Sequence, residues 1–433
     1  MFNLSNHNTN IKTEIIAGIT TFLTMAYIVV VNPVILSDAG VPFQQGFTAT
    51  IIAAFVGTLC MALFANMPIA IAPGMGLNAY FAYSVVKAHA GVTFAIAFSA
   101  VFITGLIFLV LSLTSFRTKL MEVIPENIKH AITAGIGLFI AFIGLRLTGI
   151  ITKHPTNLVG IGDFHSPSVL LALAGLAITL ILLVRNVKGA LFLGMLLTSI
   201  LSLVTGQLSF HKGIVSLPSL PSGVIVANPI TAVSDVIHYG LYGVVFSFLL
   251  VTLFDTTGTL LGVSEQAGLM KNGKLPQAGR ALLSDSISTT VGAMFGTSPT
   301  TAYIESSAGV GAGGRTGLTA LVIAILFAIA AFFSPLVDAV SSVNAITSPS
   351  LIIVGSFMMG SVRNIRWDEF DEAFPAFLVI LSMPLTSSIS TGISLGFITY
   401  PLMKIAKGKF RDVHPLVYLF AVLFLYQLVW LSR

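Results

Sequence analysis

The sequence predicts an all-α, polytopic membrane protein of about 14 transmembrane segments, arranged as two inverted seven-segment repeats. Three observations carry this: a composition too apolar for a water-soluble surface, a ladder of apolar runs of spanning length, and two short Pro/Gly-broken runs in equivalent places. Of 433 residues, 55% are hydrophobic and 9% charged, against about 25% charged in a globular chain. The first 116 residues carry only Lys12, Glu14, Asp38 and Lys87 as charged side chains. Net charge +5 and pI 9.3 then read as basic residues on cytoplasmic loops, not as a nucleic-acid surface. The single cysteine, Cys60, excludes an internal disulfide and reads as a small packing residue.

About 20 apolar residues cross a bilayer as a helix. Such runs lie near 14–36, 48–66, 94–115, 128–150, 168–184, 189–206, 238–263, 281–297, 315–333, 346–361, 372–387 and 389–405. The first is too long for the apolar core of a signal peptide. Two shorter runs, near 74–88 and 300–312 and each entered through a proline (Pro73 and Pro299), are rich in Gly, Ser, Thr and Asn between them. A last run, Leu416–Leu431, reads as a fifteenth span or as a helix lying on the membrane. With the N-terminus cytoplasmic, the inner loops collect Lys12, Arg117, Lys119, Lys129, Arg185, Lys188, Lys271, Lys274, Arg280, Arg315, Arg363, Arg366, Lys404, Lys407, Lys409 and Arg411. The outer loops collect Lys87, Arg146, Lys153 and Lys212, and Arg433 is undecided. Sixteen against four sets the orientation of a multi-pass plasma-membrane protein, and deleting either short run would invert every later loop.

Phe64–Pro68 matches Phe295–Pro299 at an offset of 231, and Ser37–Gly40 matches Glu265–Gly268 at 228. Each broken run falls third in a set of seven, and an odd set places the second copy upside down. Inverted repeats with breaks in equivalent places point to a secondary transporter with its substrate at the breaks. The expected organisation is a first repeat over 14–206, a linker over 207–237, a second repeat over 238–405, and a tail over 406–433 with an apolar helix.

Charge inside a membrane is costly and needs a reason. Asp255 lies some seventeen residues into its span and Glu305 lies inside the second broken run. Asp285 stands near the inner end of its helix close to Arg280, where a structural ion pair is the plainer reading. A carboxylate at such depth is relieved by a proton, so Asp255, Glu305 and Asp285 are the candidate coupling groups. In the first broken run, Pro73, Gly74 and Gly76 free backbone groups, and Asn78 supplies both a donor and an acceptor. In the second, Pro299 does the same, with Thr300, Thr301, Ser306 and Ser307 around Glu305. Tyr80, Phe81 and Tyr303 are candidates to stack on a planar ligand, with packing as the alternative. The scattered histidines lack metal-ligand spacing. There is no phosphate-binding GxxxxGK[ST] loop, and no nucleophile–base pair or GxGD motif for an intramembrane enzyme. No cofactor is expected. Gly311–Gly317 reads as a tight turn between helices.

The stretches 18–36 (GITTFLTMAYIVVVNPVIL), 66–83 (NMPIAIAPGMGLNAYFAY), 253–269 (LFDTTGTLLGVSEQAGL), 296–320 (GTSPTTAYIESSAGVGAGGRTGLTA) and 348–360 (SPSLIIVGSFMMG) resemble the AzgA-like purine permeases. That family is the hypoxanthine/adenine/guanine branch of the nucleobase:cation symporters, and the likeness covers almost the whole chain. It implies a uracil-permease-like fold, in which segments one to four and eight to eleven form a core and the others a gate. It also implies a purine nucleobase held between the broken third and tenth segments. Asp255 and Glu305 would reach that base, with Asn78, Thr252, Thr301, Ser306 and Phe81 around it. Thr252 stands where guanine-type members carry an acid. Since a hydroxyl serves adenine's N1/N6 edge and a carboxylate serves guanine's paired donors, the Thr leans toward adenine. The implied partners are the purine, a coupling cation and the lipid bilayer, and a homodimer is among the assemblies allowed. The resemblance favours the proton, sodium being the rival, and a channel or uniporter is the alternative to a symporter.

Overall fold

In the computed structural model, the described residues are 2, 4–7, 9–89, 91–114, 123–155, 158–210, 213–219, 221, 223–270 and 275–431. Arg117, Lys119, Lys212, Lys271, Lys274 and Arg433, counted above for orientation, lie outside them. So do the end of the 94–115 run and parts of the 207–237 linker. The chain is a multi-pass membrane protein. Among the described residues, eight helices are long and apolar enough to cross a membrane, and Ala190–Val204 and Pro415–Val429 are shorter apolar helices.

The first half runs α1 (Ile11–Met25), α2 (Ile28–Asp38), α3 (Phe43–Cys60), β1 (Ile71–Pro73), α4 (Met75–Ala79), α5 (Phe94–Ser112), α6 (Glu126–Leu147), α7 (Pro167–Val184) and α8 (Ala190–Val204). A hairpin of β2 (Ile151–His154) and β3 (Leu158–Ile161) follows α6. The second half runs α9 (Pro229–His238), α10 (Tyr242–Gln266), α11 (Ala278–Phe295), β4 (Thr300–Ala302), α12 (Ser306–Gly311), α13 (Gly317–Ala330), α14 (Ser334–Ser341), α15 (Asn344–Met358), α16 (Phe370–Thr386), α17 (Ile389–Ala406) and α18 (Pro415–Tyr426).

Two packed groups result. In one, α3 and α5 pack on α11, and α13 packs on α1 and α3. In the other, α6 packs on α15 and α16, which in turn packs on α17. They contain the segments that the resemblance assigns to core and gate. α18 lies on α17 and reaches α10 through Phe420 and Phe424, whose rings meet Phe246 and Phe397.

The all-α expectation misses the β2–β3 hairpin and, at the site, the two short strands where the broken runs cross. β1 and β4 pair antiparallel, with Ile71 opposite Ala302, Ala72 opposite Thr301 and Pro73 opposite Thr300. Proline and glycine stop these runs from being continuous helices. The backbone groups they free cannot be left unpaired in an apolar surrounding, so each break satisfies the other. Gly74 N donates to Pro299 O at 3.0 Å and Tyr303 N to Ala70 O at 2.9 Å. α4 continues as a π-helical stretch over Tyr80–Val86.

Close helix crossings rest on small residues. A Cβ at Gly57 would stand 2.6 Å from Ser288 Cβ and 2.8 Å from Ile71 Cγ2. Overpacking a tight site costs about 1–3 kcal/mol, sometimes more. Gly57→Val is therefore expected to lower the thermal midpoint of the detergent-solubilised protein or remove its folded peak in size-exclusion chromatography. A variant as stable as wild type would contradict the close α3–α11 approach.

Four buried charges, Glu14, Asp371, Glu372 and Lys404, were not read as such from sequence. Glu14 is fully buried. Its carboxylate accepts from Arg315 N (2.9 Å), Thr319 N (3.1 Å) and Thr319 Oγ1 (2.5 Å), capping α13 across the chain. Lys404, taken above for a loop residue, lies within α17 and is buried. It pairs with Asp371 (2.7 Å) and Glu372 (2.5 Å), while Lys407 also meets Asp371. Asn127 donates to Glu372 at 2.6 Å, so this cluster ties α6, α16 and α17 together. Removing one partner of a buried pair costs about 3–5 kcal/mol, which makes the cluster a rigid knot within the second helix group.

Candidate functional site

A cleft of about 600 Å³ lies against the β1–β4 crossing. α10 presents Phe254, Asp255, Gly258 and Thr259 to it. The second break presents Thr301, Ala302, Tyr303, Ile304 and Glu305. α6 lines it with Glu126, Lys129, His130 and Thr133, α15 with Val354, Phe357 and Met358, and the first half adds Tyr27, Met75 and Gly76. The cleft opens at the end of the molecule marked by the first turn of α6.

The two carboxylates legible in the sequence face this one space. Glu305 is half-buried at the residue preceding α12, and its Oε1 accepts from Tyr27 Oη at 2.7 Å. Tyr27 sits where α1 gives way to α2 and is 1% exposed. Asp255 is exposed to the cleft, so it is in reach of water from the open end, contrary to the sequence picture of a carboxyl sealed in hydrocarbon. The Thr301 hydroxyl lies beside it. Tyr303 donates through its hydroxyl to Pro73 O at 2.5 Å, locking the second break onto the first.

Asp285 is elsewhere. It is fully buried behind β4, accepting from Thr300 Oγ1 (2.8 Å) and Thr256 Oγ1 (2.5 Å). Thr300 also meets Thr289 at 2.9 Å. Arg280 is exposed, so the ion pair suggested by their sequence proximity is replaced by a hydroxyl clamp that fixes β4 to α10 and α11.

The remaining sequence candidates stand behind the cleft wall. Asn78 is fully buried and donates to Asn32 Oδ1 at 2.9 Å. Asn32 donates in turn to Thr50 (2.7 Å) and Thr297 (2.9 Å), and Asn78 Oδ1 has no protein partner among the described residues. Ser306 Oγ accepts from Ala70 N at 3.0 Å, pinning α12 to the strand of the first break. Phe81 stacks on Phe98 at 4.5 Å between centroids, a packing role and not a wall of the cleft. Thr252 is fully buried, off the cleft, and its hydroxyl has no partner among the described residues. No group of three or more His, Cys, Asp or Glu that would hold a metal occurs among the described residues.

Sequence reasoning missed Tyr27 and Asn32. A signal existed for Asn32, because Asn32-Pro33 interrupts the otherwise apolar first span.

A membrane-embedded helical bundle, with two interrupted helices crossing under a cleft that holds two carboxylates, defines a membrane transport protein. Residues 12–395 match the sequence model of the permease family Xan_ur_permease, and the chain belongs to that family; it is a transporter rather than an enzyme. It is 67% identical over 429 residues to the guanine/hypoxanthine permease PbuO of Bacillus subtilis, covering 99% of both chains. It is 44% identical to the adenine permease AdeP of Escherichia coli, covering all of this chain and 96% of the other. Among solved structures, the transmembrane domain of the cyanobacterial bicarbonate transporter BicA superposes with a TM-score of 0.65 at 16% identity, covering 88% of this chain and 97% of that one. This likeness concerns the fold alone, and it is the fold the sequence resemblance implied.

Proposed function

We propose that this protein imports purine nucleobases across the plasma membrane by proton symport, its core moving against its gate by alternating access. The observation that carries the reading is the convergence of Asp255 and Glu305 on one cleft at the crossing of two interrupted helices. The N1–H and N2–H₂ of guanine, or the N1–H of hypoxanthine, are donors that a carboxylate accepts in charge-assisted hydrogen bonds. Thr301 and the backbone of the breaks supply further polar contacts, and Tyr27 holds Glu305 in place. Asn78, Ser306, Phe81 and Asp285 act from behind, by fixing the two breaks.

The lean toward adenine rested on Thr252, which stands off the cleft, and the 67%-identical relative is a guanine/hypoxanthine permease. We therefore place guanine and hypoxanthine ahead of adenine. Thr252→Ala is expected to leave the ranking of unlabelled bases in competition assays unchanged, with guanine and hypoxanthine above adenine. A changed ranking would bring Thr252 to the base.

The fourteen-segment plan, with inverted repeats over 14–206 and 238–405, is part of the same proposal. It is supported by contact between Gly57 and Ser288, which are 231 residues apart, the offset read between the repeats. Residues on a two-fold axis meet their own equivalents. With the N-terminus cytoplasmic, the cleft opens inward. The test is uptake of radiolabelled purines into cells lacking their own permeases, with and without a protonophore. Uptake that resists the protonophore and follows a sodium gradient would replace the proton by sodium, and no purine uptake at all would defeat the proposal.

A further inference from the structure

Lys129 is placed oddly for a loop cation. It sits in the first turn of α6 with its side chain turned into the cleft, 14% exposed, while its partner Glu126 is 70% exposed. Their contact, at 2.7 Å, is an i,i+3 pair with a solvated acid, a kind that holds its members weakly. The ammonium also lies 5.8 Å from the ring centroid of Phe254, the residue next to Asp255 on the opposite wall. A half-buried lysine that leans across a cleft toward the other helix group needs more reason than Glu126 provides.

The groups facing it are few. α6 contributes Glu126 and His130, α10 contributes Asp255, and the α1–α2 junction and second break contribute Tyr27, Tyr303 and Glu305. The residues of α15 at the cleft carry no ionisable group. Lys129 is the one Lys or Arg lining the cleft among the described residues, and it faces two carboxylates.

A symporter must move twice in each cycle, once loaded and once empty. In the loaded move a proton neutralises the carboxylate. In the empty move the proton and purine are gone, and an ionised core would have to leave the open cleft and be occluded with its charge bare, which is costly in a membrane. We propose that Lys129 is the counter-charge of the empty carrier. When the inner mouth closes without cargo, its ammonium leaves Glu126 and pairs with ionised Asp255 in place of the coupling proton, so the empty form is occluded with the same net charge as the loaded one. Cargo or proton removes the need for the pair, and Lys129 returns to Glu126. The cation stays on the gate, so it balances charge in the closed state without travelling with the purine.

This rests on the carrier reading above, and two transport modes separate the two claims. Net uptake into empty vesicles needs the empty carrier to return, whereas exchange against preloaded purine does not. The test uses the full chain in proteoliposomes, with radiolabelled hypoxanthine and an imposed inward proton gradient. Lys129→Met should lower net uptake by at least about tenfold while exchange persists near the wild-type rate, and Lys129→Arg should restore net uptake. Net uptake in Lys129→Met equal to wild type overturns the counter-charge. Loss of exchange together with net uptake also overturns it, by making Lys129 part of binding or folding. A wild-type chain that neither accumulates nor exchanges hypoxanthine overturns the transport reading itself.

Discussion

Glu305→Gln is expected to abolish purine accumulation while the protein still reaches the membrane in wild-type amounts. Glu305 stands at the head of α12 and faces the cleft, with its Oε1 held by Tyr27 at 2.7 Å. Glutamine keeps the size and can still accept from Tyr27, but it loses the charge. A hydrogen bond to a charged group contributes about 1.5–3 kcal/mol, so one lost bond weakens purine binding by roughly 10- to 150-fold. The amide also brings N–H donors toward the base's own donors, which adds to the loss. Uptake kinetics with a surface-expression control decide the matter, and wild-type kinetics in Glu305→Gln would remove Glu305 from the site. Tyr27→Phe should follow in the same direction with a smaller effect, since the carboxylate remains but is free to turn.

Asp255→Asn is expected to uncouple transport. One proton moving down one pH unit releases about 1.4 kcal/mol, enough to sustain about a tenfold purine gradient. An amide cannot carry that proton. Concentrative uptake should therefore collapse to equilibration, while downhill movement of purine continues at a reduced rate. The cleft exposes Asp255 to the open side of the molecule, which gives a proton an aqueous path to it there. The measurement is accumulation in proteoliposomes under an imposed pH gradient in sodium-free buffer. Undiminished proton-driven accumulation by Asp255→Asn would remove Asp255 from the coupling.

The parts of the site legible in the sequence were those whose chemistry conflicts with their surroundings. Asp255 and Glu305 stood out because an acid within an apolar run demands an explanation, and both face the cleft. The broken runs stood out because Pro73, Gly74 and Pro299 cannot continue a helix. Tyr27 did not stand out, since a tyrosine in a membrane span is ordinary and only its partner, 278 residues away, makes it informative. Asp285 was misjudged, and Glu14 passed over, for the same reason. Each looks like a helix-end acid from its neighbours in sequence, and each is buried by groups that arrive from another segment. The role of Phe81 was decided by Phe98, on α5. Local pattern located the breaks and the charges; tertiary pairing, invisible to spacing, sorted cleft residues from those behind them.

The β1–β4 ladder also has a consequence for biogenesis. Ile71 must wait for Ala302, so the first break stays unmatched while 231 further residues are made and inserted. At about 5–20 residues per second that delay is roughly 10–50 s. During it, the exposed edge of β1 and the free amide of Gly74 have no strand partner in a medium that supplies none, at a cost of several kcal/mol per group. The first half must therefore bridge this interval in a provisional arrangement, held by water at the break, by its own α3 through the Thr58 bonds to Ile71, or by an insertion chaperone. The crossing under the cleft then closes in a single late step, when the second break arrives. Slow codons or a chain pause before Thr300 should expose nascent protein to degradation far more than the same pause placed after α13.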